Sequence, residues 1–216
     1  MIGGLRIIAH RGVWEHASEQ NSVPAFQRAL SSGFGIETDL WWRDGEVLVS
    51  HDPPRGPGLA LADLVHLYRE MGSEAPLAFN AKSDALYSMD RCTLAPLEGT
   101  KYFFFDMSVP DMLGYRRAAL PYYSLQSELE RDPAFYQEAQ GVWLDQFFED
   151  WVDGAILAQH ADAGKAVCIV SPDLHGRHYE SAWARYRHAL ESSAQRTTSV
   201  MLCTDHPLRA QEFFAL

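Results

Sequence analysis

The chain has 216 residues, 47% hydrophobic and 22% charged, enough for a single domain with a sizeable core and no long disordered tract. A net charge of -11 argues against a nucleic-acid partner, whose affinity rests on Lys and Arg neutralising phosphates, but leaves open a small phosphate-bearing ligand held by a local cluster of cations or a metal. Three widely spaced cysteines (Cys92, Cys168 and Cys203) speak against a disulfide framework or structural zinc site, and no apolar run is long enough to span a bilayer.

Short apolar runs alternate with helix-like segments from the start. The first run, residues 5–10, comes too soon after the N-terminus for a signal peptide, so a soluble cytoplasmic protein is the default expectation. A helix over 23–32 follows, with Ser22 as N-cap, Pro24 just inside, and Phe26, Ala29 and Leu30 at helical spacing; Gly33 suits its end. Residues 35–42 and 46–51 then read as two strands reversed at Asp44-Gly45, because both central positions of such a turn need positive φ. Further strands are expected at 76–82, 101–107, 121–127, 141–147, 166–171 and 199–204. Helices are expected at 61–71, 85–93, 110–119, 133–139, 151–163 and 179–192, with a last short one from Leu208. Counting the hairpin once gives eight strands alternating with helices. That pattern predicts an α/β protein, a single (β/α)8 barrel over 1–216 with a β-hairpin extension at strand two. A doubly wound open sheet is the alternative, disfavoured because no glycine-rich dinucleotide fingerprint follows strand one.

The acidic pair on strand two carries the first chemical signal. Glu37 and Asp39 project from one face of a strand, since side chains alternate. Two neighbouring carboxylates repel, and burial makes this worse; a divalent cation between them resolves both problems. The hairpin returns His51, which titrates near neutral pH, to the same end. Other polar residues also collect at strand carboxyl ends: His10-Arg11, Asn80 and Lys82, Asp106, Asp145, Asp173 with His175, and Thr204-Asp205. Each has a plainer reading. Asp205 suits an N-cap for the last helix, and Glu37 and Asp39 can pair with Arg11 and Lys82 as a structural network. His16, His66, His160, His178 and His188 read as surface residues.

In order and spacing, Ala9-His10-Arg11-Gly12, Gln20-Asn21-Ser22, Ala25-Phe26, Glu37-Thr38-Asp39, Asp44-Gly45 and His51-Asp52 resemble the N-terminal signature of the glycerophosphodiester phosphodiesterases. The closing Thr204-Asp205-His206-Pro207 resembles that family's Thr-Asp-x-Pro. The resemblance implies a barrel and a divalent metal ion, magnesium or calcium, with hydrolysis of a small-molecule phosphodiester to an alcohol and a phosphomonoester. It implies His10 and His51 as general acid and base, Glu37 and Asp39 as metal ligands, and Arg11 on the phosphate, where Lys82 would join it. Two positions depart from the family. Asn80-Ala81-Lys82 stands where Glu-x-Lys is usual, so the third ligand is an uncharged carbonyl for which Asp106 can compensate. Gln20 stands where the family has Glu, unless Glu19 fills that role through a one-residue offset. The competing readings are a phospholipase-D-like lyase on the same barrel and a non-catalytic module that binds a phosphodiester or sugar phosphate. Trp14, Trp41 and Trp42 either wall the pocket or pack the hairpin.

Overall fold

The structure, a computed structural model, describes residues 5–88, 94–192 and 199–215. It is an α/β fold whose strands pair mostly in parallel, and it divides into two compact units, Ala9–Tyr122 and Met1–Ile8 with Tyr123–Leu216. Strand β1 (Leu5–His10) contributes its first residues to the second of these and Ala9 and His10 to the first.

In the unit Ala9–Tyr122, helix α1 (Val23–Ser31) starts as its sequence requires. The Ser22 side chain accepts from the Ala25 N–H, Pro24 lies in the first turn, and Ala25, Phe26, Ala29 and Leu30 form the buried face. Strand β2 (Gly35–Arg43) is buried from Gly35 to Leu40, as befits a strand covered on both faces. It pairs antiparallel with β3 (Glu46–Val49) over Leu40–Arg43 and in parallel with β5 (Leu77–Ala81) over Ile36–Leu40. Asp44 and Gly45 turn the hairpin at φ 49° and 93°, the positive values that this dipeptide tolerates. A two-residue β4 (Leu59–Ala60) extends the sheet beyond β3 and runs into α2 (Leu61–Glu70), while β6 (Tyr102–Phe105) pairs with β5 and precedes α3 (Val109–Arg117). Phe79 and Phe104 sit 5.8 Å apart, and Phe104 lies 5.1 Å from Tyr115 of α3, joining sheet to helix in the core.

In the other unit, β7 (Tyr123–Gln126), β8 (Gly141–Leu144), β9 (Ala166–Val170) and β10 (Val200–Thr204) are parallel neighbours in that order. Helices α4 (Gly154–Asp162), α5 (Glu180–Ser192) and α6 (Pro207–Phe214) cover them, with Trp183, Tyr186, Val142, Ile169, Leu202 and Phe214 in one buried cluster. Cys168 on β9 and Cys203 on β10 are both buried.

Two sequence expectations need correction here. Residues 133–139 form turns rather than a helix, with Phe135 at φ 50°. Their carbonyls are taken by tertiary donors instead: Ala134 O accepts from Ser124 Oγ at 2.7 Å, and Gln137 O and Ala139 O accept from Lys165 Nζ. Of the 85–93 helix, Leu86–Ser88 is a 3-10 turn, and residues 89–93, with Cys92, lie outside the described residues.

Candidate active site

The chain leaves β1 through a tight reversal that aims Arg11. Its backbone is left-handed (φ 56°) and Gly12 follows at φ 91°. A Cβ on Gly12 would fall 2.8 Å from the backbone carbon and Cβ of Ala25, so only glycine fits between this loop and α1. The reversal is tied down by Arg11 N–H to Glu37 O (2.9 Å) and by Asn21 N–H to Arg11 O (3.0 Å). The guanidinium then donates from Nη1 to Gln20 Oε1 at 3.2 Å. Glu19 is engaged elsewhere, by Arg28 at 2.7 Å, so Gln20 occupies the position beside Arg11 without any offset.

Glu37 and Asp39 are both buried on β2, and the register of β5 sets Asn80 directly beside Asp39. Asp39 lies between two cations: Oδ2 is 3.4 Å from Arg11 Nε and Oδ1 is 3.3 Å from Lys82 Nζ. Glu37 Oε2 faces His10 Nε2 at 3.7 Å. His10, Arg11, Glu37, Asp39, Asn80 and Lys82 thus share one cluster. Asn21 belongs to it too, although its role went unread in the sequence. Its amide nitrogen donates to Asp39 Oδ2 at 3.4 Å, and its carbonyl accepts from the Thr38 hydroxyl at 2.7 Å. The signal available was an Asn just ahead of a helix cap, a residue type that tolerates the left-handed backbone found there (φ 57°).

A hard divalent cation suits this donor set. Glu37 Oε2 and Asn80 Oδ1 are buried oxygens with no hydrogen-bond partner, a costly arrangement that a cation would relieve. The set is short of charge, however: among the described residues no three His, Cys, Asp or Glu side chains converge as a metal-binding group, so a third ligand would have to be an amide carbonyl. Burial, opposed by His10 and reinforced by Asp39, pushes the Glu37 carboxyl up to about 7. The native state therefore keeps this proton over a range in which the unfolded chain has lost it. The stabilisation is complete below the ordinary Glu range and is lost as pH rises through about 7. In chelator, urea denaturation at about pH 5 and pH 8 is expected to show this loss in the parent and not in Glu37→Gln. Equal pH dependence in both would refute the assignment.

The remaining predicted residues are placed differently. His51 follows β3, where Ser50 N–H bonds Asp39 O at 3.1 Å, but its ring is 52% exposed and pairs with Asp52 Oδ1 at 2.9 Å. Asp106 is exposed just past β6, at φ 63°, one residue beyond the Phe105 that pairs with Asn80. Trp14 donates to His10 O and Trp41 to His51 O, so both indoles brace the backbone that carries the histidines. In the other unit Asp145 accepts from His175 Nε2 at 2.6 Å, and Asp173 Oδ2 accepts from Thr204 Oγ1 and Asp205 N–H. The N-cap of α6 is His206 rather than Asp205, and no side chain caps it. His160, expected at the surface, is buried: Tyr136 OH meets Nδ1 at 2.9 Å and Gln126 Oε1 meets Nε2 at 2.8 Å, beside a 280 Å³ cavity. Burial lowers its pKa and favours the neutral ring.

No protein-family model and no curated protein matches the chain. Solved structures do resemble it in fold. A provisionally named glycerophosphodiester phosphodiesterase from Galdieria sulphuraria aligns over 98% of both chains with a TM-score of 0.76 and 16% identity. A phosphodiesterase from Oleispira antarctica, in complex with the product sn-glycerol-3-phosphate, aligns over 98% of this chain and 97% of its own (TM-score 0.67, 15% identity). A glycerophosphodiester phosphodiesterase from Agrobacterium tumefaciens covers 98% and 99% (TM-score 0.65, 17% identity). The chain shares its fold with these proteins over essentially its whole length.

Proposed function

We propose that the protein is a metal-dependent phosphoric diester hydrolase, acting on a small glycerophosphodiester-like substrate and releasing an alcohol and a phosphomonoester. The reading includes closure of the strands into one (β/α)8 domain over 1–216. The observation that carries it is the acidic pair on β2, buried with His10, Arg11 and Lys82 within 3.7 Å of its oxygens. The shared fold adds support, as does the product bound by the O. antarctica protein, because a phosphomonoester is the ligand that Arg11 and Lys82 would hold.

Glu37, Asp39 and the Asn80 carbonyl would hold magnesium or calcium, with Asp106 as a fourth candidate. When bound, the ion supplies positive charge that polarises a non-bridging phosphoryl oxygen. Arg11 and Lys82 orient the phosphate and offset the charge that develops on it. Of His10 and His51, one takes the proton from the attacking water or substrate hydroxyl and the other protonates the leaving alkoxide. The net charge argues against nucleic acid as substrate. No helix among the described residues is long and apolar enough to cross a membrane.

A panel of glycerophosphodiesters assayed with magnesium, calcium or manganese, and with chelator as control, is expected to give metal-dependent turnover of at least one member. The second reading, a non-catalytic phosphate-binding module, is favoured by the uncharged Asn80. Ligand binding without turnover across the panel would establish it and end the first.

A further inference from the structure

We propose that this site takes its divalent cation and its phosphate ligand as a linked pair, each weak alone and each strengthening the other. The inference rests on the phosphodiesterase reading for the location of both ligands, and on the charge balance of the cluster for their linkage.

Each oxygen of Asp39 already faces a cation, Lys82 at 3.3 Å and Arg11 at 3.4 Å. Two carboxylates therefore stand against two fixed positive charges, and Asn80 adds none. A divalent ion entering alone must compete for Asp39 and then sits beside a guanidinium and an ammonium with no anion to pair them. A phosphate entering alone must draw Arg11 and Lys82 off Asp39, which leaves that buried carboxylate with no cation and only the Asn21 amide as a side-chain partner. Either half-occupied state holds uncompensated charge in a poorly hydrated place. With both ligands present, Arg11 and Lys82 turn to the phosphate while Asp39, Glu37 Oε2 and Asn80 Oδ1 face the cation. The two oxygens that lack hydrogen bonds then acquire a partner. A phosphomonoester dianion completes this balance better than a diester monoanion, so the product should benefit most from the linkage.

Calorimetric titration of the full chain with manganese, with and without saturating sn-glycerol-3-phosphate, tests this together with the reciprocal titration. Linkage requires that each ligand raise the affinity for the other by the same factor, and a factor of about ten or more is expected. Asn80→Asp, nearly isosteric, and Asn80→Glu supply the missing charge. Either variant should bind manganese well without the anion and show a smaller coupling factor. Independent binding in the parent, or failure of either ligand to bind at all, overturns the proposal. Diester hydrolysis is measured separately: turnover with independent binding would sink the linkage alone, whereas coupled binding without turnover would sink the hydrolase reading alone.

Discussion

Replacing His10 by alanine is expected to lower turnover of a glycerophosphodiester by roughly two to four orders of magnitude, about 3 to 5.5 kcal/mol of transition-state stabilisation. Its imidazole ends β1 and lies 3.7 Å from Glu37, one of the two carboxylates proposed to hold the cation. His51→Ala is expected to cost a similar factor, although its ring is more exposed and is oriented by Asp52. A diester with a nitrophenyl leaving group separates their roles. Such a group departs without protonation, so it should rescue the variant that lacks the acid and leave the variant that lacks the base impaired. Full activity in either variant on the alkyl substrate would remove that residue from the mechanism.

Asp39→Asn should abolish turnover and lower stability by about 2 kcal/mol in urea denaturation. The carboxylate is 2% exposed and serves both Arg11 and Lys82, so its loss strands two cations. The expected cost lies below that of a fully buried pair because those side chains remain 18% and 26% exposed. The same change should act in the opposite direction on anions. In chelator, sn-glycerol-3-phosphate should bind Asp39→Asn more tightly than the parent, because Arg11 and Lys82 no longer face a competing carboxylate. An unchanged affinity would mean that Asp39 does not restrain them.

Much of the fold could be read locally. The strands are short apolar runs between turn residues, Asp44-Gly45 fixes the hairpin register, and Ser22 with Pro24 marks the start of α1. What failed depends on partners far along the chain. Residues 133–139 carry a helical pattern, but Ser124 and Lys165 hold their carbonyls in turns. His160 has no neighbour in sequence to mark it as buried, since Gln126 and Tyr136 arrive from 34 and 24 residues away. The acidic pair followed from strand alternation, yet the division of Asp39 between Arg11 and Lys82 needed three separate elements in register. Asn21, next to the cap residue, was seen only as part of a motif, and its contact with Asp39 appears only in three dimensions.

The close fit of Gly12 against Ala25 gives the first turn of α1 a reach beyond its own helix. Bulk added at Ala25 would press on the loop that aims the Arg11 guanidinium. The helix start is thus a mould for the loop that carries Arg11, and the guanidinium could be re-aimed from a residue of the helix.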